Sequence, residues 1–191
     1  MRTDKLWFFL CIAFVSEGAF AALSKADLSS LPPYCNPTYR ASMKWASGLG
    51  LHHYCNGLSH LNKYYKAKTK EGRQDHYREA MSEFNYHLKR NTRDLSHNPL
   101  AGEMYYNRGR LYSLAGKDFE ASKDWYKAIE VNPRLRRAYL DLATYLNKFD
   151  QKDQALKVIT TGLRHLPKSK SLQRRYVKLG GKLPYPEPVK R

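Results

Sequence analysis

The sequence has few of the residues that build irregular or low-complexity chains. Its 191 residues include only 11 glycines and nine prolines, which excludes a collagen-like or low-complexity class. Acidic residues are also scarce, because 17 Asp and Glu stand against 34 Lys and Arg and leave a net charge of +17. What is present is apolar material: 42% of the residues are hydrophobic and 13% are aromatic, which is enough to bury a core. We expect one compact domain or a short repeat array.

Motifs that carry catalysis are absent from the sequence. It contains no G-x-S-x-G, no H-E-x-x-H, no C-x-x-C and no glycine-rich loop that would cradle a phosphate. We therefore expect a protein that is not an enzyme and that holds no cofactor and no metal ion. Long apolar runs are missing too, since no stretch after residue 21 is apolar enough to cross a membrane.

The first 21 residues have the pattern of a signal peptide. Arg2 and Lys5 precede an apolar run over residues 6–15, and Ala19-Phe20-Ala21 offers the small residues that a signal peptidase accepts. A run of about ten residues is too short to span a bilayer. We expect cleavage near Ala21 and a periplasmic or secreted mature chain. An uncleaved anchor and a buried N-terminal helix are the alternatives.

Removal of this segment leaves two of the three cysteines, Cys35 and Cys55. Two cysteines in an exported protein usually form one disulfide, which would tie the proline-rich residues 31–35 to a helix that carries Cys55. A pair of buried free thiols is the alternative. The net charge stays at +17, because the segment removes as many basic residues as acidic ones.

Two segments of the chain, residues 102–135 and 136–169, align with each other at a spacing of 34 residues. Seven positions coincide: Tyr105 with Tyr139, Gly109 with Ala143, Tyr112 with Leu146, Ala121 with Ala155, Trp125 with Ile159, Ala128 with Gly162 and Pro133 with Pro167. The small residues let two helices cross closely while the large ones fill the space between them, and proline cannot continue a helix. Each segment is therefore predicted to be a helix pair that ends at its proline.

In the order and spacing of these positions, the two segments resemble the tetratricopeptide repeat (TPR), a helix-turn-helix of 34 residues. The first segment matches the family pattern nearly throughout, and the second keeps the frame with substitutions. The resemblance implies an all-α fold: a short right-handed superhelix of TPR-like helix-turn-helix pairs with capping helices. It also implies a protein-binding scaffold, since repeats of this family usually bind other proteins.

On this basis the chain divides into five regions. Residues 1–21 are the signal peptide, 22–37 a proline-rich N-terminal segment, 38–101 a degenerate helical region, 102–169 the two TPR-like repeats and 170–191 a capping helix with a proline-rich tail. Helices are expected over residues 38–47, 51–68, 73–93, 102–115, 118–131, 135–148, 152–165 and 169–179. Asn36 followed by Pro37 is typical of a helix N-terminus. The tail is expected to be extended, either loose or a docking peptide.

The segment of residues 52–60 carries three histidines and a cysteine. On a helix His52 and Cys55 lie three residues apart, so both are able to reach one metal ion. A site needs a third ligand, however, and His60 lies two turns from His53. We therefore prefer a capping helix whose histidines pack against tyrosine rings. A nucleic-acid partner is also set aside, because the basic residues are spread over several helices and turns.

In the TPR family the first helix of each pair lines the inner, concave surface. Carried onto this sequence, the resemblance places there Glu103, Tyr106, Asn107, Arg110 and Leu114 from the first repeat, and Arg137, Asp141, Thr144, Asn147 and Lys148 from the second. Asn107, Arg110 and Arg137 match in type the amide and guanidinium groups that hold a peptide backbone or carboxylate. Asp141 stands where such a clamp needs an amide or a cation, so the expected ligand is mixed in charge. The alternative is that these are ordinary exposed helix residues without a ligand.

The sequence thus predicts an exported TPR-like scaffold or adaptor that binds another protein, in the assembly of an envelope or secreted complex. The alternative is a cationic envelope-associated protein that binds anionic polymers or lipids through scattered charge. Salt separates the two, because diffuse attachment is lost at moderate ionic strength whereas binding in a groove persists.

Overall fold

A computed structural model describes residues 23–41, 51–90 and 98–190 of the chain. Within those residues the fold is all-α, as predicted, with nine α-helices, one short 3₁₀ helix at Pro33–Cys35 and no strand. The helices are α1 (Lys25–Ser29), α2 (Pro37–Arg40), α3 (Leu51–Lys66), α4 (Lys70–Arg90), α5 (Ala101–Leu114), α6 (Asp118–Val131), α7 (Arg136–Lys148), α8 (Lys152–His165) and α9 (Lys170–Lys178).

Helices α5 to α9 begin and end within one residue of the spans expected from the sequence. The expected helix over residues 38–47 begins as α2, where Asn36 accepts a hydrogen bond from the Thr38 amide as an N-cap does. The rest of that expectation, from residue 42, lies outside the described residues, as does the expected signal peptide of residues 1–21. Helix α1 was not predicted. It forms because the Ser24 hydroxyl and the Asp27 carboxylate bond to each other's backbone amides and so cap its first turn.

The larger helices pack as three antiparallel hairpins, α3 with α4, α5 with α6 and α7 with α8, and each hairpin packs against the next along the chain. In every hairpin a glycine lies directly against an aromatic ring. A Cβ atom on Gly57 would approach the Phe84 ring to 2.5 Å, and one on Gly109 would approach the Trp125 ring to 2.8 Å. Gly162 faces the Tyr139 ring in the same way, at 2.9 Å. The helices cross closely because these glycines leave room for the rings.

Two buried clusters form the core. The first is centred on α3 and α4, with Tyr54 and Phe84 fully buried, and reaches Met104 of α5. The second runs from Tyr106 of α5 to α9 and contains Leu142 and Ile159. Tyr105 of α5 packs against both clusters, so the apolar interior continues from one hairpin to the next. Helix α9 covers the far end of this interior with the buried side chain of Leu172.

A buried ion pair joins three helices. The Arg108 guanidinium of α5 donates two hydrogen bonds of 2.7 Å to the Asp124 carboxylate of α6, and a third of 2.9 Å to the Asn85 amide oxygen of α4. Both ends of the pair are shielded, since 17% of the Arg108 side chain and 8% of the Asp124 side chain are exposed. Arg108 therefore holds the hairpins together and is not available to a ligand.

The N-terminal segment lies on α3, where the predicted disulfide joins Cys35 to Cys55 with their Cα atoms 5.4 Å apart. Further contacts follow the same side of α3. The Asp27 carboxylate accepts a hydrogen bond of 3.1 Å from Ser59 and pairs with Lys63 at 3.3 Å. Residues 55, 59 and 63 are spaced four apart, so they share one face of the helix. The segment is thus fastened along two turns of α3.

In the part of the chain that the structure describes, no helix combines the length and apolar character needed to cross a membrane.

We predict that replacing Cys35 and Cys55 together with serine lowers the free energy of unfolding by about 3 kcal/mol, because the bridge closes a loop of about 20 residues in the unfolded chain. Urea unfolding with and without dithiothreitol measures this. Reductant should destabilise the wild type by the same amount and leave the double variant unchanged. A double variant as stable as the oxidised wild type would contradict the prediction.

Candidate functional site

Helices α5 and α7 present the residues that the sequence assigns to a binding surface. On α5 these lie at positions 103, 106, 107, 110 and 114, and on α7 at 137, 141, 144, 147 and 148, spacings that put most of them on one face of each helix. We call the side of α5 and α7 that carries them the first-helix face; on α5 it is buried at Tyr106 and Asn107 and half-buried at the other three positions. Two hollows open on it.

The first, which we call the Lys148 hollow, has a volume of about 290 Å³. Its lining residues are Tyr65, Arg110, Ser113, Leu114, Asp118, Trp125, Asp141, Thr144, Tyr145 and Lys148. Two cations and two carboxylates face it, so its formal charge balances. Lys148 is already bonded to Asp118 at 2.8 Å, which leaves Arg110 as the cation with the greater freedom to meet a ligand.

The second, which we call the Arg137 hollow, has a volume of about 340 Å³. Its lining residues are Pro32, Tyr34, Glu103, Tyr106, Asn107, Leu135, Arg136 and Arg137. Arg136 and Arg137 are exposed, and the single carboxylate, that of Glu103, accepts a hydrogen bond of 3.1 Å from Tyr34. This hollow therefore has an excess of positive charge. Of the residues predicted from the sequence, Asn147 lines neither hollow, although it is exposed on α7.

A hydrogen bond of 2.9 Å from the Tyr106 hydroxyl to the Asp141 carboxylate links one hollow to the other. Burial and the neighbouring Asp141 charge raise the pKa of Tyr106, so the phenol stays protonated and donates. Asp141 thus has a partner on α5 and does not stand as an isolated negative charge. Asp141 also lines the Lys148 hollow, where its carboxylate is able to accept a further hydrogen bond from a backbone N–H or a cationic side chain.

Asn107 is engaged within the fold. Its side-chain nitrogen donates to the Tyr54 hydroxyl at 2.9 Å and to the Glu103 carbonyl at 3.0 Å, and its oxygen accepts from Arg110 at 3.2 Å. Only 8% of Asn107 is exposed. The amide that the family resemblance offers as a contact for peptide backbone therefore serves here to join α5 to α3 and to orient Arg110.

Arg110 lies at the centre of the first-helix face. Its guanidinium donates to the Tyr65 hydroxyl at 2.9 Å and lies above two rings, 5.5 Å from the centre of the Tyr65 ring and 5.8 Å from that of Tyr106. No carboxylate within the described residues pairs with it. Arg110 is thus held in place by aromatic and neutral groups and forms no direct ion pair within the described residues.

Three residues of the site, Pro32, Tyr34 and Tyr65, lie outside the repeats and were not predicted to belong to it. Tyr34 reaches the Arg137 hollow because the disulfide holds the neighbouring Cys35 on α3. Tyr65 reaches the Lys148 hollow from the end of α3. The adjacency of Tyr34 to a predicted bridge was a signal in the sequence for its place in the site, whereas the position of Tyr65 depends on how α3 packs against α5.

The histidine-rich segment of residues 52–60 lies in α3, against α4. His53 bonds to Glu83 at 2.5 Å, and the Nδ1 atoms of His60 and His76 lie 3.3 Å apart. Cys55 is in the disulfide, so it offers no thiolate to a metal ion. No group of three or more His, Cys, Asp and Glu side chains suited to a metal occurs in the described ranges. His53 also packs against the Tyr86 ring, at 3.8 Å between ring centres.

Neither the comparison with protein-family models nor the search of curated proteins finds a match to this chain.

We predict that acidification weakens the α3–α4 hairpin. Burial lowers the pKa of His60, as do Lys63 and His76, whereas Glu79 and Glu83 raise it. Because the folded-state pKa lies below the ordinary 6.5, the unfolded chain takes up the proton first. This contribution to stability is complete above about pH 6.5 and is lost as the pH falls toward the folded-state value.

Urea unfolding at about pH 7.5 and about pH 5.5 measures the effect. The midpoint should fall with pH in the wild type and fall less in His60→Gln. His165→Gln, on α8, is the matched control and should keep the full wild-type dependence. A pH dependence that is the same in His60→Gln and the wild type would refute the prediction.

Proposed function

We propose that this protein is an exported TPR-like scaffold that binds an extended segment of another protein along the first-helix face. The observation that carries the proposal is the pair of hollows on one side of α5 and α7, which together contain exposed cations, three carboxylates and aromatic rings. Extended peptide offers backbone donors and acceptors as well as side chains of both charges. Such a ligand complements this surface better than a uniformly charged one does.

Each hollow favours a different part of the ligand. The Arg137 hollow, with two exposed guanidinium groups, is suited to a carboxylate of the partner. The Lys148 hollow offers both the Arg110 cation and the Asp141 carboxylate, so a peptide group with its N–H and C=O fits there. The bond between Tyr106 and Asp141 connects the two, which makes a single strand crossing from one to the other the natural ligand.

Export and scaffold architecture belong to the same proposal. The Cys35–Cys55 disulfide supports an oxidising compartment, because such bonds persist in periplasmic and secreted proteins. The α3–α4 hairpin sets Gly57 of its first helix against the Phe84 ring of its second, as Gly109 and Trp125 are set in the first matched repeat, which supports counting it as a degenerate third repeat. We regard the chain as a binding protein without catalytic activity and place its role in the assembly of an envelope or secreted complex.

The partner is best found by crosslinking from within the surface. A photoreactive residue at Thr144, which is exposed and lines the Lys148 hollow, should capture a protein in the native compartment. The same residue at Lys157, which is exposed on α8, is the matched control and should not capture it. A synthetic peptide covering the crosslinked segment then serves as the ligand for affinity measurements.

We predict that Arg110→Ala combined with Arg137→Ala weakens binding of that peptide by about tenfold or more, because two charge-assisted hydrogen bonds are lost. Lys123→Ala with Lys157→Ala removes the same charge from exposed positions on α6 and α8 and should leave the affinity within about twofold. Fluorescence anisotropy at about 0.15 M and about 0.5 M salt measures both. Equal losses in the two double variants, or loss of all binding at the higher salt, would instead favour the cationic envelope-binding alternative.

A further inference from the structure

The C-terminal part of the chain concentrates positive charge. Residues 164–190 contain one carboxylate, that of Glu187, and eight cations: Arg164, Lys168, Lys170, Arg174, Arg175, Lys178, Lys182 and Lys190. None of the ion pairs between described residues involves any of these eight. Their charge is therefore compensated by solvent ions alone and is available to an anionic partner.

Part of this charge borders a hollow of about 550 Å³ between α9 and the tail that follows it. The lining residues are Lys170, Gln173, Arg174, Val177 and Tyr185. The four on α9 are spaced three, one and three residues apart, so they form one stripe along the outer side of the helix. The ring of Tyr185 supplies the opposite wall from the tail.

The tail that supplies this wall is fixed in place. The Tyr176 hydroxyl donates a hydrogen bond of 3.1 Å to the Lys182 carbonyl, and the Tyr176 and Tyr185 rings meet edge to face at 6.0 Å between their centres. Farther along, the Val189 amide donates to the Arg164 carbonyl of α8 at 2.9 Å. The hollow is thus bounded by α9 and by a tail that is hydrogen-bonded to α8 and α9. Because the tail is already held in place, a ligand would not have to order it on binding.

Apolar surface lies among the cations. Val177 is 52% exposed and Tyr185 37% exposed, and both line the hollow. Two further apolar side chains of the tail, Leu183 and Val189, are 67% and 42% exposed. Exposed apolar residues grouped in this way mark an interaction surface more often than isolated ones do.

We infer that the hollow beside α9 binds an acidic segment of a partner protein, with carboxylates on Lys170 and Arg174 and an apolar side chain against Val177 and Tyr185. The Gln173 amide lies between the two cations in the stripe; its nitrogen donates to the Pro167 carbonyl at 2.8 Å, and its oxygen is suited to accept from a backbone N–H of such a segment. The ligand class is therefore a peptide in which acidic residues are interspersed with apolar ones.

Three other occupants fit less well. A second copy of this chain has a net charge of +17 and is repelled by the same cations. A polyanion without apolar groups would neutralise Lys170 and Arg174 but leave Val177 and Tyr185 in contact with water. An anionic membrane is flat, whereas Val177 and Tyr185 line a recess that a peptide side chain can enter.

This surface is separate from the first-helix face. Arg175, which follows Arg174 on α9, turns toward α7 and donates a hydrogen bond of 2.9 Å to the Thr144 hydroxyl. Arg174 lines the hollow on the other side. Because successive residues of a helix point about 100° apart, one helix takes part in both surfaces without joining them. Peptide binding in the hollow beside α9 therefore does not depend on ligand binding at the first-helix face.

The test uses the full mature chain and a library of short synthetic peptides in which Glu alternates with randomised apolar residues. Peptides selected at about 0.15 M salt are titrated against three double variants whose altered residues are all exposed. These are Lys170→Glu with Arg174→Glu, Val177→Ser with Tyr185→Ser, and, as the control of equal charge, Lys152→Glu with Lys157→Glu on α8.

We expect the first two double variants to lose about tenfold or more in affinity, and the control to stay within about twofold of the wild type. Equal losses in the control and in Lys170→Glu with Arg174→Glu would overturn the inference, since binding would then follow net charge alone. Unchanged affinity in Val177→Ser with Tyr185→Ser would overturn it as well. So would the selection of no peptide together with binding to phosphatidylglycerol vesicles, which would assign the surface to a membrane.

Discussion

The contact between a glycine of one helix and an aromatic ring of its hairpin partner sets the spacing of the two helices in each hairpin. It occurs once in each hairpin, at Gly57, Gly109 and Gly162, and in each case a Cβ atom would approach the ring to within 3 Å. Bringing the backbones this close lets a ring fill the volume between two helices that otherwise contribute small residues such as Ala121 and Ala155. The distance between the first and second helices of each hairpin follows from this close contact.

The candidate site depends in turn on how successive first helices pack against one another. Arg110 meets Tyr65, Tyr106 meets Asp141, and Thr144 meets Arg175, each across a junction between successive first helices, at 2.9 Å in every case. These bonds need the helices at a fixed separation, so the hollows between them inherit their shape from the core. The disulfide adds an element that the repeats lack, because it brings Tyr34 to the edge of the Arg137 hollow. The packing of the first helices thus positions the candidate site, and the Cys35–Cys55 disulfide places Tyr34 at the edge of the Arg137 hollow.

Much of the fold was predictable because it is encoded locally. Small and large residues recur at the 34-residue spacing, and prolines close the pairs, so the helices from α5 to α9 follow directly from the sequence. The contacts of each site residue were harder to predict from the sequence. Asn107 is an amide, as a ligand contact requires, yet its side-chain nitrogen donates a hydrogen bond to Tyr54, a residue 53 positions earlier in the chain. A partner so distant in sequence is set by the packing of α3 on α5, which the repeat pattern does not describe. The short helix α1 was missed for the opposite reason, since a single capping box creates it.

The free energy of unfolding of Gly109→Ala tests most directly whether the close contact between glycine and ring sets the helix spacing within a hairpin. Alanine is a better helix former than glycine by about 1 kcal/mol, so without a close contact the change would stabilise α5. Because the new methyl group would lie 2.8 Å from the Trp125 ring, we expect instead a loss of about 1–3 kcal/mol. Gly72→Ala in α4 is the comparison variant: the added methyl group would lie 3.0 Å from the hydroxyl oxygen of the exposed Thr69 and 3.7 Å from the methyl group of the half-buried Ala67, and not against a buried ring, so any loss of stability should be smaller than for Gly109→Ala. A Gly109→Ala protein as stable as the Gly72→Ala protein would contradict the account.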